Sequence, residues 1–270
     1  MTGPAEPTFA WEPLTPPGIV AFTRATLSRL LLVQFIVALL VGAVFYYLFS
    51  DGYSPIIDAA IQKLPDSGEI RSGTLDWKGG PPQMLAERRL LAFDVDPGHS
   101  GQIQSTADIL IEFGTHSIRV FSLFGYVDFY YQPDYIMPFN RTDLVPLWGA
   151  WKAEIVFLAA AAVALALMII WTLLATLYFF PVWILGFFAN RDLNLPASWK
   201  LSGAALMPGA LLMAAGVVLY DVGFLSLVAF GFVFVTHFVL CWIYISVCMA
   251  FLPRIPGPVQ RKNPFRKAKA

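Results

Sequence analysis

Four stretches of the chain are continuously apolar, and the segment between the first and the second alternates instead. Residues 30–49, 155–190, 201–220 and 222–252 carry almost no charge. About 20 apolar residues in a helix suffice to cross a bilayer core, so the pattern predicts four membrane spans. The second run is longer than one crossing requires and contains Pro181. It reads as a span over residues 156–180 followed by a kinked or interfacial extension. Only Asp221 and Gly223 punctuate the third and fourth runs, which predicts a tight helical hairpin with the charge at the membrane edge.

Residues 51–152 follow a different rule. Ser54 to Leu64 reads as a helix, with Ile57, Ile61 and Leu64 at turn spacing and Pro55 near its start. Beyond Pro65 the period falls to two. Leu91, Phe93 and Val95 alternate with Ala92, Asp94 and Asp96, and Ile109, Ile111 and Phe113 alternate with Asp108, Leu110 and Glu112. Gly114-Thr115-His116 marks a turn into a strand from Ser117, Gly125 opens another through Tyr131, and Glu69 to Trp77 is a further strand candidate. The expectation is a compact, mainly antiparallel domain large enough to hold its own core.

The expected fold class is therefore an α-helical integral membrane protein with four spans, plus an inserted extracytoplasmic α+β domain that is mainly antiparallel β. The boundaries fall at 1–29 for a proline-rich tail and juxtamembrane helix, 30–49 for the first span, 50–152 for the β-rich domain, 153–252 for spans two to four, and 253–270 for a basic tail. Orientation follows from Lys and Arg in the short flanks. Arg24 and Arg29 precede span one, Arg191 and Lys200 lie between spans two and three, and six basic residues from Arg254 to Lys269 follow span four. With four spans all three flanks fall on one side, so both termini are expected in the cytoplasm and the β-rich domain outside. Phe45-Tyr46-Tyr47-Leu48-Phe49 offers no small-residue cleavage site, so span one is expected to stay as an anchor.

Composition narrows the function classes. Of 270 residues 57% are hydrophobic and 13% charged, with 18 basic against 18 acidic, which argues against a soluble globule and against a nucleic-acid partner. Two cysteines cannot make a disulfide scaffold. Residues 51–152 hold 13 acids and 8 bases, a net charge of about −5.

The layout resembles a bacterial family of uncharacterised multi-pass membrane proteins with an N-terminal anchor, a β-rich outer domain and Yip-type C-terminal spans. The residues that carry the resemblance are Ile70-x-x-Gly73-x-Leu75, the run Leu91 to Gly98 ending in an acidic turn, Arg141-Thr142-Asp143-Leu144 leading into the second span, and Trp199 to Pro208 entering the third. The Yip-type region of that family usually has more than three spans. The resemblance implies architecture and a bacterial inner-membrane location; the family supplies no catalytic residue to carry over.

Individual constellations are weighed against plain structural roles. Asp94, Asp96 and Gly98 form D-x-D-P-G, but a calcium loop wants a bidentate Glu near its twelfth position, where Ser105 stands. The plain reading is a strand entering a Pro-Gly turn with both carboxylates on one solvated face. His237 and Cys241 lie one turn apart in span four and are candidates for polar contacts inside the membrane. Cys241 and Cys248 lie too far apart along one helix to be bridged. Asn140-Arg141-Thr142 matches a glycosylation sequon. Small residues in spans two and three, among them Ala205, Gly209 and Ala210, suit close helix packing. Arg261, Lys262, Arg266 and Lys267 are candidates for contact with anionic lipid. No catalytic set, metal site or cofactor is expected. The expected function is non-enzymatic: a multi-pass inner-membrane protein whose outer domain binds a partner or ligand. The expected partners are membrane lipids and another membrane protein or a second copy. The alternative is a component of a transport or lipid-handling complex.

Overall fold

A computed structural model describes residues 11–255. Helix α1 spans Pro16–Ala21 and α2 Leu27–Tyr47; a π-helical turn over Leu48–Tyr53 leads into α3, Ser54–Gln62. Eight strands follow: β1 Glu69–Arg71, β2 Thr74–Asp76, β3 Gln83–Glu87, β4 Leu91–Val95, β5 Ile109–Phe113, β6 Ser117–Ser122, β7 Gly125–Tyr130 and β8 Met137–Pro138. Helices α4 Arg141–Phe188, α5 Leu195–Asp221 and α6 Leu227–Phe251 complete the chain. Among the described residues four helical segments are long and apolar enough to cross a membrane: Leu27–Gln62, Arg141–Phe188, Leu195–Asp221 and Leu227–Phe251. Large apolar side chains such as Leu158, Leu165, Leu177 and Phe232 stand outward on them, a surface suited to lipid rather than water.

The chain divides into two compact units. One comprises the residues up to Ala38, Leu165–Met213 and those from Val233 onward; the other comprises Leu39–Ala164 and Ala214–Phe232. In the first unit small residues let helices approach. A Cβ at Gly209 would lie 2.7 Å from the backbone carbonyl of His237, so α5 and α6 meet backbone to backbone there. Gln34 on α2 is buried, and its side-chain amide donates to the Gly203 carbonyl at 3.0 Å. Leu201, Ala204, Ala205, Met207 and Ile245 fill the interior. Helix α4 continues through Pro181 to Phe188, with the Phe180, Trp183 and Phe187 rings contacting one another along it. One missing N–H is tolerated in a long apolar helix whose other backbone bonds persist.

The second unit carries both sheets. Strand order is β2-β1-β8 in the smaller and β3-β4-β5-β6-β7 in the larger. Helix α3 forms in the expected stretch, but the buried apolar residues of that stretch are Ile56, Ala60 and Leu64, with Ile57 and Ile61 only half-buried; Ile56 and Ala60 share a core with Leu85, Leu91, Val95 and Phe139. The stretch from Glu69 is a hairpin rather than one strand: Ser72 and Gly73 both have positive φ (53° and 72°), as a tight primed turn demands. The larger sheet is antiparallel except for one pair. Strands β4 and β5 run parallel, so the chain must cross over between them through residues 96–108. Strands β3 and β8 have no clear alternation in the sequence and were not expected. Asn140, buried in the fold, caps α4: its carbonyl oxygen accepts from the Asp143 N–H at 2.9 Å and its amide donates to the Gly68 carbonyl at 3.0 Å. The sequon asparagine is thus a helix cap. Further along α4, Trp148 Nε1 (2.7 Å) and Lys152 Nζ (3.2 Å) both reach the Asp58 carboxylate on α3.

Candidate functional site: a polar row under the β4–β5 crossover

Alternation in the larger sheet turns Leu91, Phe93, Val95, Ile109, Ile111 and Phe113 toward the core with α3. The opposite face takes the intervening residues. Parallel pairing sets Asp94 beside Glu112, the next ladder sets Glu112 opposite Arg119, and the last sets Arg119 opposite Asp128. One row of charged side chains therefore crosses four strands.

At its outer end Arg119 grips Asp128 with two hydrogen bonds, Nε to Oδ1 at 2.8 Å and Nη2 to Oδ2 at 3.3 Å, and its guanidinium lies 4.4 Å from the Tyr126 ring centre. Donation from Arg119 holds the Asp128 carboxyl below its ordinary range. At the inner end the crossover loop folds over the row. His99 Nδ1 hydrogen-bonds Glu112 Oε1, and His99 Nε2 lies 3.2 Å from Ser117 Oγ. With Nδ1 donating to the carboxylate, Nε2 is placed to accept a hydrogen bond from the Ser117 hydroxyl. His99 sits at φ 50°, and its ring lies on Gly114: a Cβ there would fall 2.2 Å from Nε2.

Asp94 and Asp96 have opposite fates. Both are fully buried, which corrects the expectation of a solvated face. The crossover covers them because the parallel β4–β5 pair sends the chain across that side of the sheet. Burial pushes the Asp96 carboxyl up. Hydrogen bonds outweigh this and leave it lowered: Ser100 Oγ donates to Oδ2 at 2.7 Å, and the N–H groups of Ser100, Gly101 and Gly98 add to it. Neither oxygen of Asp94 has a protein partner. Burial, then the Glu112 and Asp96 charges, raise its pKa to about 7. Neighbouring carboxyls are thus driven apart by their surroundings.

The far end of the crossover is fastened separately. Glu87 Oε1 accepts from Ser105 Oγ at 2.9 Å and Thr106 N at 2.8 Å. The Asp108 N–H donates to the Arg89 carbonyl at 2.8 Å, and the Asp108 side chain accepts from the Tyr220 hydroxyl. Arg89 stacks 4.9 Å from the Tyr220 ring centre and donates to the carbonyls of Tyr220, Asp221 and Leu225 around the α5 terminus. Between the crossover and the sheet face lies a cleft of about 540 Å³, walled by Ile103, Asp108, Leu110, Glu112 and Phe121, with Leu227 from the start of α6.

Ser117, His99 and Glu112 have the connectivity of a nucleophile, base and orienting carboxylate. Ser117 is 5% exposed, and the cleft is lined by Glu112 but by neither Ser117 nor His99. The three residues tie the crossover to the sheet. Asp96 is occupied by donors of its own turn and Ser105 by Glu87. Among the described residues no group of three or more His, Cys, Asp or Glu could hold a metal ion.

The remaining candidates lie elsewhere. His237 Nδ1 turns to the Phe234 carbonyl of its own helix, and Cys241 is buried at 2% exposure. Cys248 Sγ approaches the Pro16 carbonyl at 3.5 Å. Arg261, Lys262, Arg266 and Lys267 fall outside the described residues. The His99–Glu112–Ser117 clamp was missed by sequence reasoning, which saw only scattered outer carboxylates. Comparison with protein-family models, curated proteins and solved structures finds no match for the chain.

Proposed function

We propose that the chain is a non-enzymatic, multi-pass protein of the bacterial inner membrane, with both termini cytoplasmic and the β region outside, and that this region binds a ligand or partner. The observation that carries the reading is the cleft of about 540 Å³ beside a crossover fastened at both ends. Ligand sites are of this size and are held by pre-organised walls. The four apolar helices support the membrane location, and the basic flanks support the orientation.

Purification of the full chain in mild detergent, with native mass spectrometry of wild type and a Leu110→Trp variant that fills the cleft, tests the reading. A bound molecule or protein partner lost from the variant supports it; identical spectra overturn it. Orientation is tested by impermeant thiol labelling of intact cells. Lys78→Cys in the β region should label and Asp192→Cys should not, and the reverse pattern overturns the topology. A second reading, a transport or lipid-handling component, is favoured by one feature: Leu227, at the start of an apolar helix, forms part of the cleft wall. Bound lipid without a protein partner would favour it.

A further inference from the structure

We infer that the cleft under the crossover takes a lipid-derived amphiphile with an amine head. The inference rests on the ligand-binding reading and names the class of ligand. Three observations carry it.

The first is the wall. Ile103, Leu110, Phe121, Leu123 and Leu227 give the cleft of about 540 Å³ apolar surface against which part of a hydrocarbon chain can lie.

The second is charge. The ionisable side chains that line the cleft are Asp108 and Glu112, both acidic, with no Lys, Arg or His among its lining residues. Arg119, the cation of the same sheet face, is committed through two hydrogen bonds to Asp128. Asp94, beside Glu112, is fully buried without a hydrogen-bond partner and adds to the negative field when ionised. A fatty acid or phosphate head would enter this cleft with no counter-charge, whereas an ammonium meets two carboxylates, each with one oxygen already held, Glu112 by His99 and Asp108 by the Tyr220 hydroxyl.

The third is access. Leu227 opens α6, a helix apolar enough to cross a membrane. Leu123 leads into Phe124 at the β6–β7 turn, and Phe124 is 96% exposed. Exposed apolar side chains beside the cleft offer a path for a chain arriving from lipid.

The test uses the full-length protein in phosphatidylcholine nanodiscs. It uses two photoreactive probes of equal chain length, a diazirine dodecylamine and a diazirine dodecanoic acid. Crosslinked peptides are mapped by mass spectrometry. The amine should label residues 101–112 and 121–123 at least about tenfold over the acid. Leu110→Trp should remove most amine labelling while amide exchange in β3 to β7 stays unchanged, and Asp108→Asn should narrow the preference between the heads. Equal or greater labelling by the acid, or amine labelling of these peptides that Leu110→Trp does not reduce, overturns the inference. If neither probe labels the cleft but a co-purifying molecule or partner is lost from Leu110→Trp, the amine class fails and the binding reading stands. If Leu110→Trp changes neither, both fail.

Discussion

Replacing Asp94 by Asn keeps the shape of the side chain and removes its charge. The carboxyl is fully buried with no partner for either oxygen, and its pKa rises from 3.8 to about 7. Three units at about 1.4 kcal/mol each amount to ~4 kcal/mol. Solvent near the thin crossover screens part of this, and about half, ~2 kcal/mol, is a fair working figure. The folded pKa lies above the unfolded one, so between the two values the native state binds more protons than the unfolded state. Stability from this group is complete below the ordinary carboxylate range and is lost as pH rises through about 7. The variant has no such loss. Amide exchange in peptides covering β4 and β5, corrected for the intrinsic pH dependence of exchange, reads the local opening energy directly. In wild type that energy should fall between pH 4 and pH 8 by about 2 kcal/mol; in Asp94→Asn it should stay flat, so that the variant is the more protected protein at pH 8. Asp96, His99, Glu112, Arg119 and Asp128 are common to both chains, so the difference isolates Asp94. Parallel pH profiles for the two proteins would refute the reasoning.

Gly114→Ala should place a Cβ 2.2 Å from His99 Nε2, push the ring off Glu112 and Ser117, and raise exchange selectively in residues 97–108, at a cost of about 1–3 kcal/mol. Arg89→Ala should lose the donors to the α5 carbonyls and the ring contact on Tyr220, lowering the thermal midpoint in detergent by an amount equivalent to about 1–2 kcal/mol. Gln34→Leu should remove the interhelical donor to the Gly203 carbonyl and cost about 1 kcal/mol, read as a lower midpoint of unfolding in a denaturing-detergent titration.

The elements with one strong period were legible in the sequence. The apolar runs at 30–49, 201–220 and 222–252 located the helices that the structure bounds at Leu27–Tyr47, Leu195–Asp221 and Leu227–Phe251, because a bilayer-length helix must be apolar throughout. Alternation found β4 and β5, whose inward residues share one core cluster with α3, and the turn signals at Gly114 and Gly125 placed β6 and β7. Short edge elements left no such trace. In Gln83–Glu87 the half-buried and buried residues follow one another, and its register against β4 shifts between Met84 and Ala86, so no clean period of two survives. Two-residue β8 is a strand only because β1 lies beside it.

The candidate site was half legible, and the division has a physical cause. Alternation placed Asp94 and Asp96 on one side of β4, and Glu112 on one side of β5, without saying that the two sides coincide. Only the parallel register makes Asp94 and Glu112 neighbours; an antiparallel ladder would reverse β5 and pair Asp94 with a different residue. The same parallel connection forces a crossover, and the crossover turns a wet strand edge into a buried one. Once covered, each polar group needs a partner inside the fold. Asp96 finds its own turn, Glu112 finds His99, and Asp128 finds Arg119. Asp94 finds none. The group left over lies beside Glu112, which lines the cleft, and its ionisation adds to the negative charge of that face.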